Sequence, residues 1–261
     1  NGAWARERHL HRAALHPGQQ GVCSRSGGSS HVHNPLLVLQ RSGGTEEFGA
    51  CYAANLVYSG NFNATAEVSP MDTTRVVMGV DSDTCSFVLS VGEHLALPEL
   101  VLFYAENGTG ALTRGLHDLY RKHLVRENPF KQRPVLINNW EATYFDFNEQ
   151  KLEQIMQSAA KVGVDLFVLD DGWFGHRDDD TTSLGDWCVN THKLPNGMEG
   201  LCAVAGANGM KLGLWFEPEC ISEDSALYRA HPDFCIHIEN RTRTRSRHQL
   251  LADITRPEVR D

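Results

Sequence analysis

The sequence predicts two architectures in succession: part of an antiparallel β-sandwich, then the first three βα units of a (β/α)8 TIM barrel. Three observations carry this. Residues 1 to about 105 break into short apolar or alternating runs separated by Gly, Ser and Asn turns. After Pro134, apolar strand-length runs alternate with helical periodicity at a spacing that suits right-handed βα crossovers. Each of these later strands runs out into acids and tryptophans, and a barrel gathers its strand ends at one face. A doubly wound sheet fits the alternation after Pro134 equally well, and the strand ends favour the barrel.

Composition narrows the function classes. Hydrophobic residues at 41% and charged residues at 22% describe a soluble globular protein. Twenty-four Lys and Arg against 33 Asp and Glu give −9, which argues against nucleic acid or an anionic membrane as partner. No apolar run approaches the ~20 residues of a membrane span. Seven cysteines without a Cys-x-x-Cys pair favour free thiols and a reducing compartment, so a cytoplasmic location is expected. The chain opens at Asn1 without methionine and stops three residues after Thr255-Arg-Pro-Glu258, a capping box with Pro in its first turn. It reads as an internal fragment of a longer protein.

In chain order, the expected strands of the first segment are Leu36–Leu39, Ala53–Tyr58, Arg75–Val80, Ser86–Val91 and Leu100–Tyr104. His31 and His33 would project to one side of a strand, where a hydrogen-bonding role is expected over metal binding. From Gly110 to Leu124 the apolar period becomes helical. Glu127–Pro134, polar and with two prolines, reads as a linker. The expected organisation is therefore sandwich over 1–108, linking helix and linker over 109–133, and barrel over 134–261. Within the last, Val135–Ile137, Leu166–Leu169 and Lys211–Phe216 are strands. A helix capped by Asn148 and closed by Gly163 follows the first, and a weaker one over Leu201–Ala207 precedes the third. A polar loop, 174–200, lengthens the second crossover.

The stretch Leu166-Phe-Val-Leu-Asp170-Asp171-Gly172-Trp173 anchors the functional reading. Neighbouring side chains on a strand face opposite ways, so both carboxylates reach one pocket only where the backbone peels away, a turn Gly172 permits. Together the strand ends supply Trp140 and Glu141, then Asp170, Asp171 and Trp173, then Trp215, Glu217 and Glu219. Taken singly, each indole fits a core and each acid a solvated loop. Taken together they suit a pyranose, whose hydroxyls form charge-assisted hydrogen bonds and whose C–H face packs on an indole. There is no Gly-rich phosphate loop and no clustered His/Cys set, so no cofactor and no metal are expected.

Arg133–Phe145, Leu169-Asp-Asp-Gly-Trp-Phe-Gly175, Ser183-Leu-Gly-Asp-Trp187 and Gly213-Leu-Trp-Phe-Glu-Pro-Glu219 closely resemble the bacterial α-galactosidases of glycoside hydrolase family 36. The resemblance reaches upstream to Gly2–Arg8, Ser29–Pro35 and Leu56–Phe62. It implies an N-terminal β-sandwich, a catalytic barrel, retaining hydrolysis of melibiose- or raffinose-type α-galactosides, and a homo-oligomer, often a tetramer. By resemblance, Asp170 and Asp171 bind galactose hydroxyls, Trp215 lines the same pocket, Trp140 borders the leaving-group side, and Arg247 contacts substrate. The family usually has Arg-Asn-Gln at this point, so His248 is a departure, as is the basic run Arg241–Arg247. The family's nucleophile lies in a Lys-Trp-Asp motif that these residues do not contain, so no catalytic carboxylate is assigned within them. A same-family α-N-acetylgalactosaminidase or galactosyltransferase, and a non-catalytic carbohydrate-binding protein, are the alternative readings.

Overall fold

The computed structural model describes residues 10–29, 33–127 and 131–261. The Gly2–Arg8 motif and His31 therefore lie outside the described residues. The chain divides into two compact units, Asn1–Phe130 and Lys131–Asp261.

The first unit is a sandwich of two three-stranded antiparallel sheets. One has the order β1 (Gly18–Ser24), β4 (Phe62–Val68), β5 (Thr74–Val80); the other has β2 (Leu36–Gln40), β3 (Cys51–Leu56), β6 (Leu100–Ala105). Leu56, Phe62 and Ala64 form the core between them, with Val22, Leu37 and Met78 packed around it. Helix α1 (Gly108–Leu119), which ends in a wide turn over Tyr120–Leu124, lays Leu112 and Leu116 on Cys51 and Ala53 of the second sheet. Two strands were not legible: β1 is rich in Gly and Gln, and β4 alternates on small alanines. Each is fixed by its seven-residue pairing with the other, Gly18 opposite Val68 through Ser24 opposite Phe62.

Ser86–Val91 is not a strand, contrary to expectation. It pairs with nothing, and Val88 and Val91 are 93% and 107% exposed. Apolar β-branched residues make a strand only where a sheet offers an edge and a covered face. His33, for its part, makes a hydrogen bond through Nδ1 with the Cys23 carbonyl at 3.0 Å.

The second unit is built on a parallel sheet in the order β7 (Leu136–Asn138), β8 (Leu166–Leu169), β9 (Lys211–Leu214), open at three strands. In register, Asn138 lies beside Val168 and Val168 beside Gly213. After β7 comes a single helical turn, α2 (Trp140–Thr143), and then α3 (Glu149–Ala160). The Asn148 side chain caps α3 by accepting from the Lys151 N–H at 2.9 Å, as its sequence position suggested. Helix α4 (Gly197–Ala207) completes the second crossover. Phe167 and Leu169 are fully buried under Leu152, Met156, Leu201 and Ala205 of the two helices. Strand alternation then puts Leu166 and Val168 on the opposite face, with Gly213 beside Val168.

Beyond β9, β10 (Cys220–Ser222) pairs antiparallel with β11 (Gln249–Leu251), and short helices α5 (Ala226–Ala230) and α6 (Pro257–Arg260) flank them. The capping box expected at Thr255 does not form. Its hydroxyl turns back to Asp253 at 2.6 Å, and Arg256 is the residue preceding the helix. Among the described residues no helix is long and apolar enough to cross a membrane.

Candidate functional site at the strand ends

The carboxyl edge of the parallel sheet is wired by asparagines from β7. Asn138 Nδ2 donates to Asp170 Oδ2 at 2.5 Å, while its Oδ1 accepts the Trp140 N–H at 2.7 Å. Asn139, fully buried, accepts the Asp170 N–H at 2.8 Å and donates to Thr143 Oγ1 at 2.9 Å. The second oxygen of Asp170 accepts the Asp171 N–H at 2.7 Å. Asp170 is therefore held on both oxygens yet remains only partly buried, with lone pairs left for a ligand. Gly172 makes the turn that follows the two acids: its φ is +97°, and a Cβ there would stand 3.0 Å from the Phe145 ring.

Asp171 turns the other way, into the protein. It is 2% exposed, and fully buried Arg177 clamps it with Nε to Oδ1 at 2.5 Å and Nη2 to Oδ2 at 2.8 Å. The remaining guanidinium nitrogen donates to the Thr182 carbonyl at 2.5 Å, and the group stands 5.7 Å from the Phe145 and Phe174 rings. Arg177 is a site residue that sequence reasoning missed. It sits in a polar loop, and its one signal is an arginine six residues after an acid at a buried strand end.

The tryptophans divide into packed and accessible ones. Trp173 is buried, donates Nε1 to the Trp215 carbonyl at 3.0 Å, and packs with Phe174, Trp187 and Phe216. Trp140 and Trp215 are only partly buried. Trp215 follows β9, its N–H bonded to the Leu169 carbonyl at 2.9 Å. Asp186 accepts the Ala226 and Leu227 N–H groups at 2.7 and 3.0 Å, so it caps α5 rather than facing a ligand.

Arg247 reaches Glu217, with Nη1 3.8 Å from Oε1, and Gln249 donates to the other oxygen at 3.1 Å. Arg247 and His248 take φ 51° and 61°, between Ser246 and Gln249, which bridge each other. That is the φ pattern of a two-residue type I′ turn, in which Asn and Gly are favoured and His is tolerated. Two arginines of the basic run Arg241–Arg247 are tied down. Arg243 donates to Tyr228 Oη at 2.7 Å, and Arg245 lies 2.7 Å from Glu223.

Burial pushes the Glu217 carboxyl above the usual glutamate range; nearby Arg247 opposes this, and the charges of Glu219 and Asp171 add to it. A carboxyl whose folded pKa is raised makes no difference below the unfolded value and costs stability as pH rises through it. Glu217→Gln should therefore melt higher than the parent at pH 7, and the advantage should vanish below about pH 4. A glutamine variant that melts lower at pH 7 would contradict this. Glu217, Glu219 and Cys220 bring ligand-type atoms within 4.8 Å of one another. Glu217 is already partnered, however, and burial pushes the Cys220 thiol up to about 11, a protonated and poor metal ligand at neutral pH. Surface hollows of about 440 and 540 Å³ lie elsewhere, over the β1–β4–β5 sheet and beside α3.

An antiparallel sandwich followed by parallel βα units, with acids and indoles at the strand ends, is a layout compatible with a sugar-processing enzyme. The melibiase family model matches residues 95–261, and the model of the glycosyl hydrolase family 36 N-terminal domain matches residues 1–90. The chain belongs to this family. The match boundary near residue 90 differs from the structural division at 130, because β6 and α1 pack on the sandwich. The α-galactosidase AgaA of Geobacillus stearothermophilus is 48% identical over all of this chain, which covers 36% of it. α-Galactosidase 1 of Pediococcus pentosaceus is 42% identical, with the same 36% covered. The crystal structure of AgaA superposes on 99% of this chain with a TM-score of 0.96. A substituted AgaA in complex with raffinose gives 0.95 at 47% identity, this chain covering 36% of that one. The chain thus spans about a third of the length of these relatives.

Proposed function

We propose that these residues form the galactose-binding half of a retaining α-galactosidase site. The observation that carries the proposal is Asp170, held on both oxygens one residue past β8 and still accessible, with Trp215 one residue past the neighbouring β9. In this reading Asp170 receives galactose hydroxyls and Trp215 offers its indole to the sugar's C–H face. Asp171, buried and clamped by Arg177, fixes the turn beneath the sugar. Trp140 borders the leaving group, and Arg247 adds a donor beside Glu217. Retaining hydrolysis needs two carboxyl groups about 5 Å apart, one attacking the anomeric carbon and one protonating the leaving oxygen. Neither is assigned to Asp170 or Asp171, whose hydrogen bonds serve binding. Terminal α-galactosides of the raffinose type are the substrate class, in keeping with relatives named α-galactosidases and one solved with raffinose. A cytoplasmic setting accords with seven free cysteines, and a homo-oligomer with the family resemblance.

The test is a hybrid in which residues 1–261 replace the matching stretch of the Geobacillus AgaA. The hybrid should hydrolyse raffinose, whereas residues 1–261 alone should show no turnover. A folded hybrid that binds galactose without hydrolysing it would favour a non-catalytic sugar-binding role. Turnover by residues 1–261 alone would move the nucleophile inside them, and the site would have to be rebuilt around Asp170, its accessible acid.

A further inference from the structure

The turn after α2 is built against its own residue preference. Thr143–Asp146 closes with the Asp146 N–H on the Thr143 carbonyl at 3.0 Å, and Tyr144 between them takes φ 47° and ψ −128°. Those angles belong to the first central residue of a type II′ turn, a position glycine dominates. A tyrosine held there stores strain that the surrounding contacts must offset, and such strain collects at functional sites.

Those contacts converge on Trp140. The Tyr144 ring meets the indole edge-on, centroids 5.1 Å apart at 81°, and the next residue, Phe145, meets it at 5.0 Å and 90°. The Tyr144 hydroxyl donates to Glu141 Oε2 at 3.2 Å. The same turn is tied to both acids. Thr143 Oγ1 accepts from Asn139, which in turn accepts the Asp170 N–H. The Phe145 ring lies 5.7 Å from the Arg177 guanidinium that clamps Asp171.

We infer that Tyr144 is a positioning residue: its strained turn fixes the Trp140 indole relative to Asp170 and Asp171. It thereby sets how well galactosides with an extended leaving group are held. The inference rests on the function proposed above and is tested apart from it.

In the hybrid, Tyr144→Gly deletes the ring but gives the turn the residue its backbone favours, so folding is preserved. The KM for stachyose should rise about three- to tenfold. The kcat for stachyose and the inhibition constant of galactose, which has no leaving group, should hold within about twofold. Tyr144→Phe keeps the ring and should restore the parent KM. A stachyose KM unchanged in Tyr144→Gly, or one rising in parallel with the galactose constant, overturns the positioning role. An unsubstituted hybrid that binds neither sugar overturns the function itself, and this inference with it.

Discussion

Replacing Arg177 with methionine should destabilise the protein by about 3–5 kcal/mol, the usual cost of removing one partner from a buried ion pair. The reason is what remains. Asp171 is 2% exposed and accepts on both oxygens from Arg177, so the substitution leaves a charge without water and without a partner. The Thr182 carbonyl also loses one of its two donors and keeps only the Leu184 N–H, which loosens the loop between β8 and α4. Converting Asp171 to leucine in the same chain should recover much of the loss, because apolar replacement of both partners is often close to neutral. The urea midpoint of the hybrid reads both effects. A shift equivalent to less than about 1 kcal/mol for Arg177→Met would mean that the pair behaves like an exposed one.

Asp170→Asn should weaken galactose binding by about 1.5–3 kcal/mol, roughly ten- to 150-fold in Kd. The substitution is nearly isosteric, but it removes more than a charge. Asp170 accepts from Asn138 Nδ2 on one oxygen and from the Asp171 N–H on the other. An amide cannot accept at both places, so one of its hydrogens must face a donor. Asn138 cannot turn to relieve this without giving up the Trp140 N–H that its own oxygen holds. Titration of the hybrid and its Asp170→Asn variant with galactose measures the loss, and unchanged affinity would return Asp170 to a purely structural role.

What the sequence made legible were the features written in local chemistry. The Asn148 cap, the strand Leu166–Leu169 and the left-handed Gly163 after α3 stand where periodicity and turn rules put them. Trp140, Asp170 and Trp215 all follow strands of one parallel sheet, as their strand-end positions implied. Features that depend on distant partners were hidden. Strands β1 and β4 exist because they pair, whereas Phe87, Val88 and Leu89 have strand character and no strand beside them. Arg177 carries no periodic signal; only the burial of Asp171 gives it meaning. The two tight turns were hidden for another reason, since Tyr144 and His248 occupy backbone positions whose usual residues are Gly and Asn.

The most direct test of the central claim is a crystal structure of the hybrid soaked with galactose. Galactose hydroxyls should stand about 2.7–2.9 Å from the Asp170 carboxylate, with the Trp215 indole against the sugar. Galactose bound elsewhere, with the Asp170 oxygens engaged only by Asn138 and the Asp171 N–H, would contradict it.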